Sequence, residues 1–411
     1  MIKSILLLFS STVFSSVLTL VTQTVIASEL GPEEFGIFSS SLALVMLLSP
    51  LIAMGSDGYY LKFVTIPNSK LCKFNSNWVF YFFITSIPAL SVYFYIGSTG
   101  TRLLALLMIS QSLINFCVAL FQSKKRYILV SLLLSLQSLA RVVALLLFIF
   151  FSDVVALQNV VKLYFGVAML MILCCFYILY KLSFKFVFIK GLYLIKDEFL
   201  IFVKSAAPFG FTTLLHLVYF QSDIIIINRF YSSEEAGLYS AAFMVLTAAY
   251  MIPSVIYQKY FLPIAHQLSS SGDKSREYQY FKKGTKYIFL LSLFSMTVYY
   301  FSSELLINFI YGDEYYQSSL YLKILSICIV FRFLSSNAGI YLMTENLIHK
   351  KNKYMLVCAI FNITLNLVFI PIYGAIAAAI TTISTEILLC SLFYRGIKKF
   401  KFSKIYTGSL C

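Results

Sequence analysis

The chain has 411 residues, 60% of them hydrophobic and only 12% charged, with a mean hydropathy of +0.86, whereas soluble domains carry about 25% charged residues. A water-soluble globule cannot bury that much apolar surface, because cores stop growing with chain length, and disordered, collagen-like and disulfide-scaffold classes fall on the same composition. The net charge of +15 would suggest nucleic acid in a soluble protein, but a membrane protein gathers Lys and Arg in its cytoplasmic loops, so no nucleic acid partner is expected.

A bilayer span needs about 20 mostly apolar residues in a helix, because lipid offers no partner to a bare backbone amide. In chain order twelve segments qualify: 5–27, 37–54, 78–97, 102–122, 128–151 and 159–180, then 206–228, 236–258, 285–302, 318–342, 354–371 and 375–394. The predicted class is therefore an all-α polytopic membrane protein of about twelve transmembrane helices. The first segment has Lys3 before it and a tolerable cleavage context at Val25-Ile26-Ala27, but its length and its Ser and Thr interruptions favour a retained span.

With the N-terminus inside, the inward segments hold 26 of the 32 Lys and Arg residues and the outward segments two, Arg102 and Arg229. Both termini are then cytoplasmic. The outward loops are short and acidic, which counts against a polymerase or ligase with catalytic groups outside, and no enzyme activity is expected. Cys117, Cys174, Cys175, Cys328, Cys358 and Cys390 sit in apolar runs, Cys72 and Cys411 in basic flanks. None has metal-ligand spacing, so no metal is expected.

The segment Glu33-Glu34-Phe35-Gly36-Ile37-Phe38-Ser39 reads against Glu234-Glu235-Ala236-Gly237-Leu238-Tyr239-Ser240 at a shift of 201 residues. Each copy follows one apolar span and opens the next on the same side, which predicts two six-helix lobes in a parallel pseudo-twofold repeat. The alternative is a shared helix-start signal, since carboxylates favour a first turn. The expected division is a lobe over 1–181, a cytoplasmic linker over 182–205, a second lobe over 206–395 and a basic tail over 396–411. The linker alternates Lys with aromatics, which suits either an amphipathic segment on the inner leaflet or a solvated connection. The polar loop 269–284 reads as an ordinary connection.

Four segments carry a resemblance: TVIASELGPEEFGIFSS (24–40), SDIIIINRFYSSEEAGLYSAA (222–242), NFIYGDEYYQSS (308–319) and FNITLNLVFIPIYGAIAAAITTISTE (361–386). They resemble the bacterial polysaccharide-unit flippases of the O-antigen (Wzx) type, in the superfamily of multidrug extruders and peptidoglycan-precursor flippases. The resemblance implies a two-lobed inner-membrane transporter that moves an undecaprenyl-pyrophosphate-linked oligosaccharide from the cytoplasmic to the periplasmic leaflet by alternating access. Implied partners are that lipid-linked oligosaccharide, membrane lipids, and the polymerase and chain-length machinery of polysaccharide assembly. In the last segment Asn362 and Asn366 share a helix face, Pro371 is expected to end the span, and Gly374 with the following alanines makes a narrow packing surface.

A charge at mid-bilayer costs roughly 3 kcal/mol and so faces water or a partner. Arg141, Arg332 and Glu386 lie near the centres of their spans; Asp223 lies inside the outer end of its own, two helical turns after His216. Arginine suits a diphosphate because its guanidinium forks onto phosphate oxygens and keeps its charge. Arg141 and Arg332, supported by Gln137 and Gln23, are the candidate substrate-binding residues; the alternative is an interior ion pair of either arginine with Glu386. No Gly-rich nucleotide loop is present, so Asp223, Glu386 and His216 are the candidates for coupling a proton or Na⁺; no other cofactor is expected. Lys162 and Lys323, near outer span ends, are expected to snorkel. A polar stripe on the first span (Thr12, Ser15 or Ser16, Thr19, Thr22 or Gln23) could line water or bond another helix. An exporter of amphipathic drugs on the same fold is the nearest rival, and two lumenal arginines would disfavour its cationic substrates.

Overall fold

The computed structural model describes residues 2–64, 71–151, 155–184, 196–255, 257, 261–270, 272–344 and 347–403, and it is all-helical over them. The chain divides into two compact units, one of residues 1–30 and 37–225, the other of 31–36 and 226–411.

The first unit contains α1 (Ile2–Leu48) apart from 31–36, then α2 (Ser56–Phe63), α3 (Leu71–Ile96), α4 (Ala105–Ser123), α5 (Tyr127–Phe151), α6 (Leu157–Leu179) and most of α7 (Lys196–Phe230). Its core at one end is aromatic: Trp78 stacks on Phe116 at 4.2 Å and donates to Ser56 Oγ at 2.9 Å, while Phe74 meets Tyr60 and Phe202 at 5.2 and 5.0 Å. Such ring pairs add about 0.5–1.5 kcal/mol beyond the area they bury.

The second unit contains the end of α7, α8 (Ser233–Val255), α9 (Leu262–Ser270), α10 (Lys274–Phe301), α11 (Ser303–Tyr311), α12 (Ser318–Ser326), α13 (Cys328–Tyr341) and α14 (Ile348–Gly396). Of the polar segment expected as a connection over 269–284, residues 274–284 form the start of α10, capped by Asp273, whose side chain accepts from the Arg276 amide at 2.9 Å. Hydropathy marks where lipid begins, and a polar, Lys- and Glu-bearing stretch forms helix just as readily. The start of the expected basic tail is also ordered: 397–401 prolongs the last helix, and Lys401 is buried against Glu277 at 2.9 Å.

Among the described residues seven helices are long and apolar enough to span a bilayer, and up to nine if two bent pairs are each taken as one span. Two of the seven stretches, Ser10–Phe63 and Ile348–Lys401, are 54 residues long. At 1.5 Å per residue such a stretch measures about 80 Å, far more than the roughly 30 Å of hydrocarbon. Each contains a break at a glycine: Gly31 (φ 70°, ψ 171°) and Gly374 (φ 60°, ψ −144°). Both conformations are closed to most side chains. Pro371, expected to end its span, lies inside the helix, and the chain breaks three residues later. A proline removes one intrahelical hydrogen bond; a residue with positive φ leaves the helical conformation altogether. The expected span 318–342 is bent by 43° between α12 and α13.

The repeated segments meet within the second unit. A Cβ on Gly36 would fall on the Ser233 carbonyl oxygen, and one on Gly237 would fall on the Pro32 carbonyl oxygen. Each glycine also stands against the other's backbone amide, and Phe35 and Ala236 beside them are fully buried. The backbones thus approach more closely than any side chain allows.

Candidate functional site: two arginine–tyrosine pairs

In the first unit the polar stripe of α1 is held by α5. Ser15 and Thr19, one turn apart on α1, reach Ser135 and Ser138 of α5, with Ser15 Oγ 3.5 Å from Ser135 Oγ and Thr19 Oγ1 3.3 Å from Ser138 Oγ. One turn further along both helices come Gln23 and Arg141, which meet through a third helix. Gln23 Nε2 donates to Tyr164 Oη at 3.3 Å, and the Arg141 guanidinium lies over the Tyr164 ring at 5.2 Å. Tyr164 is fully buried and its ring is held edge-on by Phe38 at 5.2 Å. The stripe therefore binds another helix over its first two turns and ends at a cation.

This cation has no carboxylate within 4.0 Å among the described residues. Its Nε is buried and without a hydrogen-bond acceptor, and the Gln23 Oε1 is buried and without a donor. The aromatic face offsets part of the desolvation, but each unmet polar atom costs about 1–3 kcal/mol. Gln137, one turn before Arg141, is turned to α4: its Nε2 donates to Gln111 Oε1 at 3.3 Å, and Gln111 Nε2 donates to Asn115 Oδ1 at 3.1 Å.

In the second unit the arrangement begins alike and ends differently. The Arg332 guanidinium of α13 lies 5.5 Å over the Tyr250 ring of α8, but its Nη1 is 3.6 Å from Glu386 Oε1 of α14. Arg332 is 19% exposed and Glu386 1%. Of the two outcomes open to these arginines, Arg332 has taken the interior ion pair and Arg141 has not. Next to the pair, Asn362 Nδ2 donates to Thr385 Oγ1 at 3.5 Å, Asn366 Nδ2 to Asn362 Oδ1 at 3.1 Å, and Thr381 to Asn366. These bonds tie the two halves of α14 together across Gly374. Thr382, one turn before Glu386, is engaged with Tyr239 at 3.3 Å.

Asp223 is buried in α7, 3% exposed. The His216 side chain lies outside the described residues, so its expected relation to Asp223 stands on helix register alone. Lys323, expected to snorkel, pairs with Glu304 at 2.5 Å. Tyr164 and Tyr250 were not among the sequence candidates: with 30 tyrosines in the chain, nothing in their spacing singles them out. Gln111 and Asn115, two amides one turn apart in an apolar span, are a signal that the sequence itself carries.

A profile described as "Polysaccharide biosynthesis protein" matches residues 1–269, and one described as MatE matches 208–372. No curated protein sequence matches the chain. Among solved structures, "Lipid II flippase MurJ, inward closed conformation" aligns with a TM-score of 0.73 at 15% identity, covering 98% of this chain and 90% of that one. The inward-facing conformation of a multidrug resistance MATE family transporter of the MOP superfamily gives 0.74 at 11%, covering 96% of each chain. An outward-facing conformation under the same description gives 0.64 at 12%, covering 98% and 96%. At these identities the structural likeness establishes a shared fold: this is a multi-pass membrane protein with the MATE and MurJ architecture. The profile match spans well over half the chain, and the protein belongs to the polysaccharide biosynthesis protein family.

Proposed function

We propose that the protein is a flippase for a lipid-linked oligosaccharide, moving an undecaprenyl-pyrophosphate-linked repeat unit of O-antigen or capsule from the cytoplasmic to the periplasmic leaflet of the inner membrane. The observation that carries this reading is Arg141: a cation inside a span, without a carboxylate within 4.0 Å among the described residues, with an unmet Nε donor beside an unmet Gln23 acceptor. Those are the groups a diphosphate and a sugar hydroxyl would satisfy. The family match supports the reading. On it, the chain forms twelve spans in two six-helix lobes, the two 54-residue stretches each supplying two passes across their glycine breaks, and both termini face the cytoplasm as the distribution of Lys and Arg requires. The lobes alternate access, and Glu386 couples the cycle to a proton: protonation would release Arg332 from its ion pair, freeing a second cation for the substrate. Asp223 is the second coupling candidate.

The test removes the gene and follows which leaflet accumulates the lipid-linked glycan. Accumulation on the cytoplasmic side supports flipping; single units accumulating outside would overturn it in favour of a polymerase. The MatE match over 208–372 favours one other reading, export of amphipathic small molecules. Drug efflux from a sensitised strain, with normal glycan assembly on deletion, would establish it instead.

A further inference from the structure

On the second unit, α10, α13 and α14 border an open cleft of about 670 Å³ that the transport reading does not use. From its position and chemistry we infer that this cleft is a binding site for one anionic glycerophospholipid, in the leaflet that faces the chain's basic loops. The inference does not depend on what the protein transports.

The cleft begins with the register of α10. Lys282, Thr285, Lys286 and Phe289 recur at steps of three and four and so share one face of the helix, and all four line the cleft. Lys282 and Lys286 are eight and twelve residues beyond the polar start of α10 at Lys274, or about 12 and 18 Å along the axis. After Lys286 the helix carries no charge up to Phe301. The two ammonium groups therefore stand where the polar part of the helix gives way to the part that suits hydrocarbon, the depth of a phospholipid headgroup. Both lysines are exposed, and neither has a carboxylate within 4.0 Å among the described residues.

Beside the lysines much of the lining is apolar, with Phe289 from α10 and Phe331 and Leu334 from α13. Two of the lining hydroxyls, those of Thr285 and Tyr394, are already engaged. Thr285 Oγ1 lies 3.4 Å from Tyr394 Oη and accepts from Asn337 Nδ2 at 2.8 Å. The cleft thus offers apolar surface to a chain and, at the two lysines, charge to a phosphate. Its size falls within the roughly 300–1,000 Å³ of sites that enclose small organic ligands. A cytoplasmic-leaflet phosphate near basic side chains gains about 1 kcal/mol per Lys, enough to distinguish an anionic headgroup from a zwitterionic one.

The experiment uses the purified full-length protein, delipidated and titrated with phosphatidylglycerol or phosphatidylcholine, with bound lipid counted by native mass spectrometry. One phosphatidylglycerol is expected to be retained in preference to phosphatidylcholine. The double variant Lys282→Gln/Lys286→Gln should weaken it about 30-fold, since each lysine contributes about fivefold. Ser391→Trp, at an exposed position lining the cleft, should abolish it while leaving both lysines in place. Equal retention of the two lipids, or unchanged retention in the lysine variant, would overturn the site. Displacement by inorganic phosphate would overturn it in favour of a simple anion site, and displacement by a polyprenyl phosphate in favour of a substrate groove.

Discussion

Glu386 and Arg332 invite a double-mutant cycle, because the structure separates their two possible values. Glu386 is 1% exposed and its Oε1 is 3.6 Å from the Arg332 Nη1, with Tyr250 stacked beneath the guanidinium. Removing one member, as in Glu386→Leu, leaves a half-buried cation that has lost its paired carboxylate and keeps the Tyr250 ring beside it. Breaking a buried pair this way costs about 3–5 kcal/mol. Replacing both, as in Arg332→Met/Glu386→Leu, removes the orphaned charge with the pair, and such replacements are often neutral or stabilising. The double variant should therefore be more stable than Glu386→Leu alone, with a coupling energy of about 3 kcal/mol or more, at or beyond the upper end of what neighbouring residues show. Unfolding of the purified protein in a defined detergent, followed by urea or heat, supplies the four stabilities. Single effects that add to within about 0.5 kcal/mol would mean the two charges do not stabilise each other, and the release step proposed for Glu386 would have no pair to act on.

Four further outcomes follow from other parts of the structure. Arg141→Ala should abolish glycan export without lowering membrane abundance, and Arg141→Lys should restore only part of it, because an ammonium lacks the fork of the guanidinium; the readouts are complementation of a deletion strain and an immunoblot. Gly36→Ala and Gly237→Ala should each sharply reduce folded protein in the membrane, overpacking costing about 1–3 kcal/mol or more, while Gly100→Ala, where a Cβ meets nothing within 4 Å, leaves abundance unchanged. Gly374→Ala should lower the thermal midpoint, since its φ of 60° and a Tyr231 ring atom 2.7 Å from the new Cβ both oppose it. Pro371→Ala should leave the midpoint unchanged or raise it, because the helix runs through that position.

The parts of this architecture that were legible in the sequence are those with a strong chemical contrast. Arg141, Arg332 and Glu386 stand out because charge inside an apolar run is costly, and the pairing of Arg332 with Glu386 was one of two stated outcomes. The α1 stripe was visible because hydroxyls at helical spacing interrupt apolar residues. The bend between α12 and α13 was not: it falls at Ile327 without a proline or glycine, so packing sets it rather than local chemistry. Glu277 and Lys401 looked like solvated charges, one in a polar loop and one in a basic tail. Their burial against each other, with Lys401 also donating to Ser269 at 2.9 Å and Thr344 at 2.6 Å, depends on neighbours more than fifty residues apart. Distance along the chain hides such a cluster from any local pattern.

The meeting of Gly36 with Gly237 has a consequence for how this sequence can drift. Two similar stretches that press on one another resemble the self-complementary patch of a homodimer, in which each half is the environment of the other. A bulkier residue in either copy collides with the unchanged one, so neither can be altered alone. The pair changes jointly or stays as it is, and the likeness between 33–39 and 234–240 is then preserved by mutual confinement, whether or not a common ancestor first created it.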